Sequence, residues 1–296
     1  MPSLKDVKAK IGGVKKTRQI TKAMNMVAAS RLRGAQLRSD AFRPYADKFS
    51  EVLASLAARA GDDVSPLFVP RNEVKTVNVV LCTSDRGLCG GFNANLIEMA
   101  EDFAAEKEDA GIGVKFTNFG KKGRDWARKN GFERVEEHLG VIGTRFPYTV
   151  AADAGQKLID GFLDGRWDEV WVIYSRFVSV AKQPATLRQV LPVPPIEAAE
   201  EEKADAGEFL AEHLCEPSVE ALMAELLPMS VYIQVYRALL ETSTAEHAAR
   251  MQAMDNATKA CNDMLDELTL AYNKARQAAI TKELMDIVGG AEALKG

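Results

Sequence analysis

The sequence predicts a mixed α/β protein: a long antiparallel two-helix coiled coil formed by the N- and C-terminal helices, plus a central Rossmann-like α/β domain. Three observations carry this. The first forty residues hold no proline after Pro2, and the last stretch runs from Met229 to Val288 without glycine or proline. Between them, about Arg71 to Pro195, strand-like and helix-like patterns alternate.

From Ser3 to Phe42 the residues are mostly Ala, Lys, Arg, Met, Leu and Gln, with apolar positions at Leu4, Val7, Ile11 and Val14, then Ile20, Met24, Val27 and Ala28. This is a long helix with Ser3 as its expected N-cap. Pro44 is expected to kink or briefly break it before it resumes through Val52, Leu53 and Leu56. Gly12 and Gly13 each cost roughly 1 kcal/mol in a helix interior, so the helix needs a partner.

At the other end Met251, Met254, Thr258, Cys261, Leu265, Leu268, Tyr272, Ala275 and Ala279 alternate steps of three and four, a heptad seam. Its knobs are mostly slender, which lets helix axes approach closely, and Gly289 and Gly290 are expected to end the helix. Each terminal helix needs a partner and the middle returns the chain, so the two are expected to pair with each other. The expected division is 1–60 for the first helix, 71–195 for the α/β domain, 196–216 for an acidic linker and 217–296 for the last helix.

In the middle, Thr76 to Cys82 reads as a buried strand, Asn93 to Glu108 as a helix capped by Asn93, and Val114 to Phe119 as a strand. Helices over Lys121 to Asn130 and Thr149 to Leu163, and strands over Glu169 to Phe177 and Ala185 to Val190, follow. Such alternation implies a partly parallel sheet. Glu197 to Glu208, rich in glutamate, reads as a solvated linker or helix start.

The net charge of −4 over 296 residues argues against a chain that works as a whole by binding nucleic acid or acidic lipid. Cys82, Cys89, Cys215 and Cys261 show no metal-ligand or disulfide-framework spacing, and His138, His213 and His247 share no catalytic spacing. There is no run of about 18 apolar residues and no leader-like N-terminus, so no membrane span is expected. No metal, cofactor or catalytic centre is expected either.

The first strand runs into a glycine turn from Thr83 to Asn93 and then a helix, which is where α/β folds bind phosphates. The spacing matches neither G-x-G-x-x-G nor G-x-x-x-x-G-K-[ST], and a turn for close helix-to-strand packing is the favoured reading. Asp85 with Arg86 reads as an ion pair fixing that turn or as a contact with a neighbouring subunit, and Cys89 as a structural thiol. Residues 1–43 hold eleven Lys or Arg against Asp6 and Asp40. With no aromatic residue before Phe42 to stack on bases, an acidic protein partner is favoured over nucleic acid. If the last helix outruns its partner, Ile280, Leu284, Ile287 and Val288 have no cover within the chain and call for a protein sleeve. The rivals are a nucleotide-binding α/β enzyme with a coiled-coil arm and a coiled-coil scaffold.

Three stretches in order, Ile20 to Ser30 (ITKAMNMVAAS), Thr83 to Asn93 (TSDRGLCGGFN) and Tyr272 to Thr281 (YNKARQAAIT), closely resemble the gamma subunit family of F-type ATP synthases, and the match spans nearly the whole chain. The resemblance implies a non-catalytic rotating shaft whose coiled coil lies inside a hexamer of alpha and beta subunits. It implies that the α/β domain, with an epsilon-type subunit, forms a foot on the c-ring. Carried over by position, Lys22, Met24, Arg31, Arg276, Gln277, Thr281 and Glu283 are implied to touch the alpha/beta head, and the region around Asp85 and Glu216 to lie at the foot. The cysteine-bearing insertion of the chloroplast form is missing. The expected location is the cytoplasmic face of a bacterial inner membrane, peripheral and through the complex.

Overall fold

The computed structural model describes residues 4–57, 65–194 and 218–293. Ser3, the acidic segment and with it His213, Cys215 and Glu216 lie outside the described residues. The elements are α1 (Leu4–Ala57), β1 (Thr76–Cys82), α2 (Phe92–Asp109), β2 (Gly113–Phe119), α3 (Lys121–Lys129), β3 (Glu133–His138), α4 (Thr149–Leu163), β4 (Glu169–Ser175), β5 (Ala185–Leu191) and α5 (Val219–Ala293). By contact the chain divides into two compact units, Met1–Ala28 with Arg250–Gly296, and Ala29–Ala249.

The larger unit is built on a five-stranded sheet in the order β3-β2-β1-β4-β5. The β1, β2, β3 and β4 pairings are parallel and β5 is antiparallel to β4. Side chains of β1 alternate between the two faces, as the pleat requires. Val77, Val79 and Leu81 pack with Leu96, Ala100 and Phe103 of α2 and Ala127 of α3. Val80 and Cys82 belong to the opposite core, with Leu158 and Phe162 of α4, Leu53 and Leu56 of α1, and Met223, Leu227, Val231 and Leu239 of α5. The sheet is therefore covered on both faces, which is why its central strands read as nearly continuous apolar runs.

Pro44 lies inside α1 and does not break it. An interior proline costs about 3 kcal/mol, and here the turns on either side are held down by the buried Ala46, Leu53 and Leu56 and by Phe42 edge-on to Tyr236. Gly289 and Gly290 do not end α5, which runs on to Ala293, and neither adopts the left-handed conformation that closes a helix. Helix α5 also starts earlier than the proline-free stretch, carrying Pro228 inside it. Helix α2 begins at Phe92 with Gly91 as its N-cap and no side-chain cap. Asn93 is not the cap because its side chain is turned back to the preceding turn. The edge strand β3 (ERVEEH) has no counterpart in the sequence reading: it is half exposed and carries its charges outward, as exposed sheet edges do.

Candidate functional site

The smaller unit is an antiparallel helix pair. Asn25 Nδ2 donates to the Met251 carbonyl at 2.8 Å, Thr21 and Thr258 share a hydroxyl hydrogen bond at 2.8 Å, and Arg18 donates to Asn262 at 3.2 Å. As numbers fall along α1 they climb along α5, which sets both direction and register. On α5 every seam position from Met251 to Ala279 is at least partly covered, with Met254 and Leu265 buried. On α1 the covered line is Leu4, Val7, Ile11, Val14, Arg18, Thr21, Met24, Asn25 and Ala28. Ile20 and Val27, counted as apolar repeats in the sequence, stand 59% and 54% exposed, and Arg18, Thr21 and Asn25 take their place. Polar seam residues lower stability but specify register. Replacing Asn25 by alanine is expected to cost about 1 kcal/mol, read as a lower helix-melting midpoint of the whole chain by circular dichroism.

Lys22 is exposed, and Met24 is half-covered in the seam beside it. Arg276, Gln277, Thr281 and Glu283 are all exposed. They lie about five to seven helical turns beyond Thr258, the partner of Thr21, so the pairing does not bring them together with Lys22 and Met24. Arg31 belongs to the other unit and is exposed there. Among the described residues none of Lys22, Arg31, Arg276 and Glu283 has an ion-pair partner, whereas Lys259 holds Asp255 at 2.8 Å and that hydrogen bond raises its ammonium pKa. From Ile280 to Ala291 every described side chain is exposed, including Leu284, Met285, Ile287 and Val288. That is a contiguous apolar and charged helix end with no cover from the described residues of the chain.

The glycine turn of the larger unit is closed by the chain itself. The first three N–H groups of α3, a ready anion site in other α/β proteins, are taken by Asp85 Oδ1 (to Lys121, 2.9 Å), the Ser84 carbonyl (to Lys122, 3.1 Å) and Thr83 Oγ1 (to Gly123, 2.8 Å). Asn93 ties the two ends of the turn, accepting from the Ser84 N–H at 2.9 Å and donating to Ser84 Oγ at 2.8 Å and Cys89 Sγ at 3.2 Å. In doubly wound sheets ligands sit where the strand order reverses, here between the carboxyl ends of β1 and β4. That place is met by α5: the Ser175 N–H donates to Thr242 Oγ1 at 3.4 Å, and residues 242–248 are buried throughout.

Asp85 is not paired with Arg86. Its second oxygen accepts from the Gly140 N–H at 2.9 Å, and no ion pair joins it to Arg86 among the described residues. Arg86 and Leu88 are left exposed, Leu88 in the left-handed region with φ 63°. Cys82 is wholly buried, which pushes its thiol pKa far up, and Cys89 is buried in the turn. With Cys261 half-buried, a thiol reagent at pH 8 is expected to label Cys261 in the native chain and to spare Cys82 until denaturant is added, as mass spectrometry of the digest would show. A cavity of about 310 Å³ between α4 and the sheet is rimmed by Glu136 and Lys157, which pair with each other, and by Asp160, bonded to Gln156. No side chains converge there as acid and base. Among the described residues no three His, Cys, Asp or Glu side chains gather to hold a metal.

Sequence reasoning missed Arg18, Thr21 and Asn25 as seam residues, and gave no task to Thr242, Ser243 or His247. A signal existed for the last group. Thr242 to His247 is polar but for Ala245 and sits between apolar turns of one helix, where buried polar side chains need hydrogen-bond partners from elsewhere in the fold.

The fold and these surfaces define a class: an α/β layer that receives a long helix across its ligand crevice, and an antiparallel coiled coil with exposed faces. A family model described as ATP synthase matches residues 3–294. The chain belongs to the ATP synthase gamma family. It is 65% identical to the ATP synthase gamma chain of Desulfosudis oleivorans and 58% identical to that of Desulforapulum autotrophicum, covering at least 99% of each chain in both cases. Among solved structures it resembles the rotor of the Euglena gracilis mitochondrial ATP synthase, with TM-score 0.64 at 21% identity, over 94% of this chain and 98% of that one. The central stalk and c-ring structure from Tetrahymena thermophila gives TM-score 0.57 at 24% identity, over 80% and 99%. These two likenesses concern the fold. No described helix is long and apolar enough to cross a membrane.

Proposed function

We propose that the chain is the non-catalytic rotating shaft of a proton-translocating ATP synthase, coupling rotation of a c-ring to conformational change in an alpha/beta catalytic head. The carrying observation is the uncovered end of α5 from Ile280 onward, on a chain whose whole length matches bacterial gamma chains. Five exposed apolar side chains on a single helix end are costly in water and are accounted for by a sleeve. The head supplies that sleeve in this reading.

The helix pair is asymmetric while an alpha/beta hexamer is nearly threefold. At each angle the shaft therefore contacts the three catalytic interfaces differently and biases each toward a different nucleotide affinity. Lys22, Met24, Arg31, Arg276, Gln277, Thr281 and Glu283 are the proposed head contacts. Unpaired exposed charges suit transient contacts, because each is worth about 1 kcal/mol or less and none holds the rotor at one angle. The α/β body, with an epsilon-type subunit, sits on the c-ring, with Glu216 and the loop around Asp85 at the foot. No cofactor and no nucleic acid enter this scheme. The location is the cytoplasmic face of a bacterial inner membrane, held there by the complex.

The nucleotide-enzyme rival loses its site to Thr83, Asp85 and α5. Reconstitution tests the proposal: the purified chain mixed with the alpha and beta subunits of its organism is expected to convert them to a stable ATP-hydrolysing particle containing one copy of it. Stoichiometric ATP binding by the isolated chain in calorimetry, without such assembly, would sink the shaft reading.

A further inference from the structure

Most of what joins α5 to the α/β body is apolar: Met223, Leu227, Val231, Val235 and Leu239 in one continuous core with α4 and the sheet. Apolar burial is strong but non-directional, so it resists separation better than it resists a helix turning about its own axis. A shaft that carries torque needs directional contacts at this joint, and hydrogen bonds supply direction. Apart from Tyr232, which donates to Gln156 of α4, they gather between Thr242 and His247, where Thr242 already meets the Ser175 N–H. The Gly143 N–H donates to Ser243 Oγ at 3.2 Å, and His247 Nε2 donates to the Gly143 carbonyl at 3.1 Å, so both backbone groups of one residue are gripped by one face of α5. Gly143 has φ 77°, and a Cβ there would lie 2.0 Å from Glu246 Oε2, so the turn meets the helix backbone-first.

The same turn is held from behind. Gly140 donates to Asp85 Oδ2, whose other oxygen holds the first residue of α3. Thr144 Oγ1 closes the turn on the Gly140 and Val141 carbonyls at 2.8 Å, and Ile142 anchors it in the core.

We infer that the Gly140–Thr144 turn, clamped by Asp85 on one side and by Ser243 and His247 on the other, is the joint that fixes the rotational setting of α5 in the α/β body. Asp85, Ser243 and His247 are positioning residues for torque transfer. This rests on the shaft reading, and it gives Asp85 a task inside the chain that needs no partner.

The test uses the whole ATP synthase in membrane vesicles. Ser243→Ala removes the acceptor for Gly143, and Asp85→Asn presents an amide N–H to one of two backbone donors. In both, protons pumped per ATP hydrolysed against a standing gradient are expected to fall at least threefold while hydrolysis persists. Ser179→Ala, which removes a like bond to the Lys182 N–H in an exposed hairpin, is expected to leave the ratio unchanged. A normal ratio in both joint variants, with only their melting temperatures lowered, overturns the inference. Hydrogen exchange at Gly140 and Gly143 in the full isolated chain separates the two layers of argument. Both amides are expected to exchange at least tenfold faster in the respective variants, and unchanged exchange overturns the clamp even if the chain never assembles. Failure of the unaltered chain to assemble overturns the shaft reading instead.

Discussion

Replacing Gly120 by alanine is expected to destabilise the α/β body by about 3 kcal/mol, among the larger single-residue effects in the chain. Gly120 has φ 97°, where an L side chain is strained, and its added Cβ would lie 2.0 Å from the Thr83 carbonyl oxygen. Neither side can yield cheaply. The Thr83 N–H is bonded to the Phe119 carbonyl at 2.8 Å, the Gly120 N–H to the His138 carbonyl at 2.9 Å, and Thr83 Oγ1 to the Gly123 N–H. Relief of the clash therefore means loosening β1 from β2 at their carboxyl ends and releasing the start of α3. Urea unfolding followed by tryptophan fluorescence reads this directly, because Trp126, Trp167 and Trp171 all lie in this body. Gly131→Ala is the comparison: φ is 79° but nothing lies within 4 Å of its Cβ, so only backbone strain of about 1 kcal/mol is expected. Equal losses in the two variants would show that the close approach to Thr83 contributes nothing.

Gly120 also shows why parts of this molecule are legible in its sequence and others are not. β1 and α4 have the bounds read from sequence, Thr76–Cys82 and Thr149–Leu163, because each is a strongly patterned run between turn residues. The heptad line from Met251 to Ala279 is legible for the same reason: a long periodic signal with no breaker inside it. β3 is invisible to such reading because an edge strand needs only the backbone of β2, and Glu133, Arg134 and Glu137 are free to be charged. The choice of Ile20 and Val27 over Arg18, Thr21 and Asn25 fails for a related reason. Apolar repeats point to a seam, but the seam is a geometric line, and Ile20 and Val27 lie off it, exposed. At the glycine turn, the presence of a shaped loop is local and readable. What fills the crevice at the carboxyl ends of β1 and β4 is not, since Thr242 to His247 lie far along the chain and only the folded chain brings them to Ser175 and Gly143.

Shortening the chain after Ala278 separates what α5 does for its own fold from what it does for a partner. Ala279 is the last described residue with partial cover, and from Ile280 to Ala291 every described side chain is exposed, so removing the segment strips almost no buried area. The melting temperature of the isolated chain is accordingly expected to move by no more than about 2 °C, since about 1 kcal/mol already shifts a domain of this size by 2–4 °C. In the complex the balance reverses. Burying Ile280, Leu284, Met285, Ile287 and Val288 in a sleeve recovers on the order of 1.5 kcal/mol or more per side chain, and the cut also removes Thr281 and Glu283, two of the proposed head contacts. Assembly, which draws on contacts along the rest of the chain, is expected to persist, while ATP turnover and ATP-driven pumping fall severalfold in membranes carrying the shortened chain. If the shortened chain unfolds on its own, the exposed end has a role in folding that its surface does not show. If it is stable and the motor runs at full rate, the apolar end of α5 is not a bearing surface.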